Sequence, residues 1–354
     1  MYTIVATSRF PKISMMMPLL RLLLFAAATA TASAKILFPS HIASSMVVQR
    51  GEPFELQGID TPNSKLTATF LSTKYTATAD VGGKFSITLP AQKATTAPTS
   101  VAVASSSGST AVLADILFGD VFVSSGQSNM ELTVAWCYDY AKFVRESPQV
   151  GAILRIAEVA LLPEYYNTTE PQTNLTMMIP WSRAAPTNIA GMSAIAYFTA
   201  LEMVRANPSV PIGAIASSWG GTAQEPWMPP EAFTACSWGE QLGQDRNEDP
   251  GLYSADRHPS LELAAGPPSI HSTLWNSMIA PLLPLRISGW YWYQGESNVG
   301  QPCFSRCFPA MITAWREQWK LPRLPFIFFQ LAPWPSLNNG GIPAQRAAQV
   351  MLMH

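Results

Sequence analysis

A serine where a strand runs into a helix is the first residue of this chain whose position suggests chemistry. Ser128 stands in the stretch "VFVSSGQSNMEL", where an apolar run typical of a β-strand gives way to a predicted helix. Its hydroxyl could cap the helix by bonding a backbone N–H of the first turn. It could instead be a nucleophile, with backbone donors of the helix start stabilising an oxyanion. The Gly-x-Ser-x-Gly nucleophile pattern is not matched, because Met130 takes the place of its second glycine.

Two further polar segments follow apolar runs in the same way. "SSWGGT" follows "VPIGAIA", and "YQGESN" follows "RISGWYW". In a parallel sheet, ligands bind beyond the carboxyl ends of the strands. We therefore expect these two tails and "SGQSN" to converge on one site. The alternative for Gln294 and Glu296, in the last tail, is an ordinary hydrogen-bonded turn.

Aromatic side chains are concentrated in or beside these tails. They are Trp219, Trp227, Trp290, Trp292 and Tyr293. Aromatic faces suit sugar rings, but most tryptophans pack in cores or pocket walls. We expect one or two of them at most to contact a substrate.

The elements that must position these tails alternate between strand and helix. Helical patterns are clearest at Met192–Asn207 and Phe308–Lys320, between apolar strand-like runs. This alternation predicts an α/β fold, with a parallel sheet covered by helices on both faces, over residues 115–354. Residues 35–114 instead show short alternating runs separated by Gly, Pro, Asn and Ser, which predict a small β-sandwich domain. Residues 239–269 are polar and irregular, which predicts an excursion on the surface.

Composition and the N-terminus indicate a globular protein of the secretory pathway. The chain is 48% hydrophobic and 13% charged with a net charge of −1, which disfavours disorder and nucleic-acid binding. Residues 1–34 read as a signal peptide, with basic residues, an apolar run and cleavage after Ala34. A membrane anchor is the alternative, but the apolar run is short for a span. We therefore expect a secreted or lumenal protein, with N-glycans possible at Asn167 and Asn174.

The four cysteines of the chain fit disulfides better than a metal site. Cys137, Cys236, Cys303 and Cys307 allow three pairings, of which Cys303–Cys307 would close a small loop. Their spacing does not match a zinc site, so we expect no metal bound by these cysteines.

Several motifs in order resemble the sialate O-acetylesterase family, within the wider SGNH hydrolases. The resemblance runs from "SMVVQRG" through "GDVFVSSGQSNMEL" and "VPIGAIASSWGGTAQEPW" to "PFIFFQLAP", and covers most of residues 35–354. It implies a flavodoxin-like parallel sheet and hydrolysis of acetyl esters on carbohydrates, a reaction for which no metal or organic cofactor is expected.

The resemblance also implies roles for individual residues. Ser128 matches the nucleophile, whose backbone N–H contributes to the oxyanion hole. Gly191 matches the glycine that donates a second N–H, and Gln294 stands where a side-chain amide donates a third. Glu296 matches an acid proposed to orient the histidine base in related acetylesterases. Substrate contacts are expected from the remaining residues of the tails: Gln127, Asn129, Trp219, Gly220 and Gly221, the two glycines being weaker alternatives to Gly191.

The base expected to activate Ser128 is missing from the sequence. The family supplies it from an Asp-x-x-His element after the "FFQLAP" strand, and no such element occurs here. The four histidines, His41, His258, His271 and His354, do not match it. Two interpretations follow: an incomplete sequence of an active esterase, which we favour, or a glycan-binding relative without catalysis.

Overall fold

The computed structural model describes residues 35–236, 266–301, 303–333 and 341–350. The predicted signal peptide, His258, His354 and most of the predicted excursion at 239–269 lie outside the described residues. Within the described part of the chain, no helix combines the length and the hydropathy that a membrane span requires.

The N-terminal strands form a separate two-stranded sheet and one end of a larger sheet. They are β1 (Val47–Gln49), β2 (Phe54–Ile59), β3 (Lys65–Phe70), β4 (Thr73–Thr78), β5 (Lys84–Leu89) and β6 (Thr95–Ser105). Strands β2 and β5 pair with each other, while β4, β3 and β6 form an antiparallel ladder that continues into the next strand. Alternate residues such as Leu56, Leu66 and Ile87 are buried in one shared core, as expected for strands with one covered face. The division of the chain into two domains stays a prediction.

Strand β7 (Thr110–Gly126) runs through the predicted boundary after residue 114. Its first half pairs antiparallel with β6, and its second half pairs with strands of the central sheet. The strand that carries Ser128 at its end is therefore anchored in both parts of the fold.

The remaining elements alternate between helix and strand, as the sequence predicts. They are α1 (Ser128–Glu131), α2 (Tyr140–Val150), β8 (Leu154–Val159), β9 (Met177–Arg183), α3 (Ala194–Ala206), β10 (Ile212–Ser218), α4 (Pro230–Ala235), β11 (Gly289–Tyr293), α5 (Phe304–Trp319), β12 (Phe326–Phe328) and α6 (Gly341–Val350).

The central sheet has the order β12-β11-β7-β10-β8-β9. Neighbouring strands of this sheet pair in parallel, except that β9 pairs antiparallel with β8 at the edge. The sequence did not predict this edge strand. A mostly parallel α/β sheet is thus confirmed. If β7, β8, β10, β11 and β12 are numbered 1 to 5, their order across the sheet is 2-3-1-4-5. The expected flavodoxin-like order is 2-1-3-4-5. The two orders differ because β10 lies between β7 and β8.

Hydrophobic clusters lie on both faces of this sheet. Ala214 and Ala216 of β10 face a cluster that includes Leu201 of α3, whereas Ile215 belongs to the opposite cluster with Trp315 of α5. Alternate residues of one strand point to opposite faces, so the predicted helical cover on both sides is confirmed.

One disulfide forms among the described cysteines, and it is not the small Cys303–Cys307 loop. Cys236, after α4, bonds to Cys307 of α5, while Cys137 and Cys303 are free thiols. Residues four apart on a helix have Cβ atoms about 5–6 Å apart, beyond the ~3.5–4.5 Å that a disulfide spans. Because Cys303 directly precedes the helix that holds Cys307, the pairing Cys303–Cys307, one of the alternatives that the sequence left open, is excluded.

Candidate active site

Ser128 lies where three strand ends meet. Gly126, the last residue of β7, pairs with Ser218 at the end of β10 and with Tyr293 at the end of β11. The chain leads from β7 to β8 on one side and from β11 to β12 on the other, so the carboxyl end between β7 and β11 is a topological switch point, where open α/β sheets bind ligands. The predicted convergence of the three polar tails is confirmed.

A glycine is required at the end of β7. Gly126 has φ +137°, and a Cβ there would stand 2.1 Å from the carbonyl oxygen of Tyr293. Any side chain would push β11 away from β7. The glycine therefore lets the Ser128 and Gln294 segments lie side by side.

Ser128 is the first residue of α1 and not its cap. The N-cap position belongs to Gln127, and no side chain caps this four-residue helix. Ser128 is half-buried, and in the described residues its hydroxyl has one hydrogen-bond partner, the Nε2 of Gln127 at 3.5 Å. The capping alternative is wrong, because the Ser128 hydroxyl makes no hydrogen bond to the helix backbone.

The Gln127 side chain is buried between the first and third tails. Its Oε1 accepts from the backbone N–H groups of Gly295 and Ser297, both at 3.3 Å. Its own backbone N–H donates to the Tyr293 carbonyl at 2.9 Å. Main chain and side chain of Gln127 are therefore both fixed to the end of β11.

Glu296 faces the segment that contains Ser128. Its Oε1 accepts from Asn129 Nδ2 at 2.9 Å, and its Oε2 is buried without a partner among the described residues. Burial raises the pKa of Glu296, and a backbone hydrogen bond and the bond from Asn129 act in the opposite direction. An acceptor oxygen of Glu296 thus remains open beside the segment that contains Ser128.

Gln294 directs its donors away from Ser128. Its Nε2 donates to the Thr222 carbonyl at 3.3 Å and to Asn298 Oδ1 at 2.5 Å, which occupies both N–H groups. The side chain is fully buried, and its Oε1 has no partner in the described part of the chain. The amide expected to bind an oxyanion would have to give up one of these bonds to do so.

Asn298 and Glu225 form the layer behind Gln294. Asn298 Nδ2 donates to both carboxylate oxygens of Glu225, at 3.0 and 3.1 Å, and its Oδ1 also accepts from the Gln224 backbone at 2.8 Å. Burial raises the pKa of Glu225. These bonds connect the second tail to the third.

The glycines of the second tail contact both other tails. Gly220 donates its N–H to the Glu131 carboxylate, and a Cβ on it would lie 3.6 Å from Ser128 Cα. Gly221 has φ +75°, and its carbonyl accepts from Ser297 Oγ at 3.1 Å. The second tail thus passes close to Ser128 at the point where the sequence predicts substrate contacts.

Trp219 is covered by protein. Its side chain is 4% exposed, and its ring packs edge to face on Tyr166 with centroids 5.3 Å apart. Trp227, Trp290 and Trp292 are also buried. Packing thus accounts for these tryptophans, as expected for most of them, and contact between Trp219 and a substrate stays a prediction.

The segment that carries Gly191 lies against the chain around α1. Ser193 Oγ donates to the Met130 carbonyl at 2.6 Å, and the Ala194 N–H donates to the Leu132 carbonyl at 2.8 Å. The bonds that join the two segments come from residues after Gly191. A donor role for Gly191 itself stays a prediction.

A buried acid supports this segment from below. Glu158 of β8 accepts from the Ser193 N–H at 2.9 Å. Burial raises the pKa of Glu158 to about 8, the Ser193 bond opposes the rise, and the charge of Glu131 adds to it. Glu158 is therefore largely protonated at neutral pH.

The two described histidines lie elsewhere. His41 is buried in the N-terminal part, where burial lowers its pKa to about 4. His271 stacks on the Phe233 ring, with centroids 4.6 Å apart. In the described residues, no imidazole lies within hydrogen-bond distance of Ser128 Oγ.

The sequence reading missed four polar residues that organise this edge: Glu131, Glu158, Glu225 and Asn298. A signal exists for Glu158, because a lone acid inside the apolar run "AILRIAEVA" is rarely buried without a partner. Asn298 is the last residue of the third tail, but the tail sequence alone does not identify it as a partner of Gln294. Glu225 carries no comparable signal, because "QEPWM" does not show that its carboxyl is buried.

Comparison with known proteins finds sialate O-acetylesterases as relatives of this chain. The chain is 30% identical to mouse sialate O-acetylesterase over 365 residues, which is 92% of this chain and 66% of the mouse protein. It is 32% identical to human sialate O-acetylesterase over 210 residues, which is 57% of this chain and 36% of the human protein. The chain thus aligns with only part of each relative. No protein-family model matches it.

A solved structure agrees with these relatives. The crystal structure of a carbohydrate acetylesterase from Xanthomonas citri superposes with a TM-score of 0.74 at 29% identity, over 90% of this chain and 66% of that one. Motifs, fold and relatives agree. The chain belongs to the sialate O-acetylesterase family of carbohydrate acetylesterases.

Proposed function

We propose that this protein is a secreted or lumenal carbohydrate O-acetylesterase of the sialate type, a serine carboxylic-ester hydrolase with Ser128 as its nucleophile. The observation that carries the proposal is the position of Ser128. Its hydroxyl makes no hydrogen bond to the helix backbone and lies at the switch point of the sheet, where three polar tails meet. The named activity of the relatives supports an acetyl ester as substrate.

The reaction would proceed by acyl transfer. Ser128 Oγ attacks the acetyl carbon, its proton passes to a base, and the carbonyl electron pair moves onto oxygen. The backbone N–H groups of Ser128 and Gly191 would donate to this oxyanion. Collapse of the adduct returns the proton to the departing sugar oxygen, and water then releases acetate from the acetyl-serine.

The open oxygen of Glu296 fits a histidine base. A triad needs an acid that accepts from one imidazole nitrogen while the other faces the nucleophile. Glu296 Oε2 is a buried acceptor with no donor in the described residues, and Asn129 holds the same carboxylate beside the nucleophile segment. The resemblance places the histidine in an Asp-x-x-His element that these 354 residues do not contain.

A glycan-binding protein without catalysis is the second candidate. It is favoured by the lack, in the described residues, of an imidazole bonded to Ser128. The test is acetate release from an O-acetylated sugar and from nitrophenyl acetate, with the wild-type protein and Ser128→Ala. The esterase predicts release that Ser128→Ala abolishes, whereas equal rates in the two proteins would remove Ser128 from the mechanism.

A further inference from the structure

The side-chain donor of the oxyanion hole can be assigned by following amide orientations. Asn298 Oδ1 accepts from the Gln224 backbone N–H, while its Nδ2 faces the Glu225 carboxylate. The orientation of the Asn298 amide is therefore fixed by its neighbours. Its oxygen must face Gln294, and it requires an N–H from Gln294 in return.

Reversing the Gln294 amide is excluded by the same logic. Its oxygen would then face two acceptors, Asn298 Oδ1 and the Thr222 carbonyl. Two buried acceptors without donors would be costly. Gln294 therefore holds the second tail against the third and has no N–H left to donate.

Gln127 has the opposite arrangement. Two backbone N–H groups, from Gly295 and Ser297, converge on its Oε1. Because the amide is rigid and planar, this leaves Nε2 as the atom that faces Ser128 Oγ, at 3.5 Å. Reversal would point its N–H groups at two other donors, so the network excludes that as well.

We propose that Gln127 Nε2, and not Gln294, is the side-chain donor to the oxyanion formed on Ser128. The inference rests on the esterase function proposed above. When the Oγ–carbon bond forms, the carbonyl oxygen becomes an anion two bonds from Oγ, beside the Gln127 amide. Gln127 donates a hydrogen bond and transfers no proton. Catalytic hydrogen bonds of this kind are often long before substrate binds and shorten in the reacting complex.

The variants separate the two glutamines. Gln127→Glu keeps an acceptor for Gly295 and Ser297 but removes the donor, and Gln127→Met removes the donor without adding a charge. Gln294→Met is the matched control, because it removes the other amide. Thermal unfolding of each variant reports how far the tails still hold together.

The measurement is the affinity for trifluoroacetone, an acetyl-sized ketone that adds to a serine hydroxyl and forms a tetrahedral oxyanion, followed by ¹⁹F NMR. We expect Gln127→Glu and Gln127→Met each to weaken the adduct roughly 10²- to 10³-fold, the size of effect that loss of one oxyanion donor has on catalysis. Gln294→Met should weaken it less than either and lower the Tm more than Gln127→Glu does.

Two results would overturn the inference. Adducts of equal affinity in wild type and both Gln127 variants, or a larger loss in Gln294→Met, would return the donor role to another group while leaving the esterase proposal intact. If the wild-type protein forms no adduct and Ser128→Ala behaves like it, the proposed function fails and the inference fails with it.

Discussion

Two acids of this molecule, the buried Asp60 and the half-buried Glu296, have opposite surroundings. Asp60, in the N-terminal part, is 5% exposed and accepts from four serine hydroxyls: Ser64, Ser105, Ser107 and Ser109. Burial alone would raise its pKa, but the hydrogen bonds, those from Ser105 and Ser64 first, lower it below its ordinary value. Glu296 has one side-chain donor and one open oxygen, and its pKa is raised.

We propose that this difference separates a structural acid, Asp60, from a functional one, Glu296. A buried carboxylate surrounded by donors has no remaining capacity for a ligand and stabilises the fold. A carboxylate that keeps an unpaired buried oxygen at the end of a strand lowers the stability of the fold. Carboxylates with a perturbed pKa concentrate at sites of chemistry. The two acids therefore make opposite predictions for activity and for stability.

The largest expected effect is on turnover. In protein that carries the proposed histidine base, Glu296→Gln should lower kcat for acetate release by roughly 10²- to 10⁴-fold, because an amide cannot orient and stabilise an imidazolium as a carboxylate does. Asp60→Asn should leave kcat within about twofold, since changes remote from the reacting groups seldom alter transition-state binding. Equal losses of kcat in the two variants would contradict the assignment of different roles to Asp60 and Glu296.

The second effect is on stability, with the order reversed. Asp60→Ala should lower the free energy of unfolding by about 3 kcal/mol, because buried serine hydroxyls lose a charged acceptor. Glu296→Ala should cost about 1 kcal/mol or less, since one hydrogen bond to Asn129 is lost and one unpaired oxygen is removed. Urea unfolding measures both values, and a greater loss in Glu296→Ala would contradict the comparison.

The smallest effect is the pH dependence contributed by a third acid, Glu158. Its folded pKa of about 8 lies above the ordinary 4.5, so the folded state retains a proton that the unfolded state releases. Its contribution to stability is present in full below about pH 4.5 and is lost as the pH rises towards 8. Asp60 has the opposite sign: its lowered pKa gives stability that is lost on acidification.

Glu158→Gln tests this dependence, because its amide oxygen can still accept from Ser193. Urea unfolding between pH 5 and 8 should show a smaller decline for the variant than for the wild-type protein. An unchanged decline would show that Glu158 is ionised in the folded state at neutral pH.

Strand ends were readable from the sequence, and side-chain pairings were not. Each polar tail follows an apolar run, and the register of Gly126 with Ser218 and Tyr293 brings the tails together as expected. The antiparallel edge strand β9 was missed because "MMIPWSR" contains a proline and lacks clear alternation.

The direction of an amide depends on neighbours that are distant in sequence. Whether Gln294 or Gln127 faces Ser128 is decided by Asn298, Thr222, Gly295 and Ser297, none of which a local pattern identifies as a partner. The disulfide is decided in the same way, by the packing of α4 on α5 rather than by the short spacing of Cys303 and Cys307.

The most direct test of the central claim is to trap the acyl group on Ser128. Wild-type protein is mixed with nitrophenyl acetate, quenched in acid within the first turnovers, and digested for peptide mass spectrometry. The account predicts one acetyl group on the peptide that contains Ser128, with its decay matched by acetate release. Acetate released with no acetyl group on Ser128, or with the acetyl group on another residue, would contradict it.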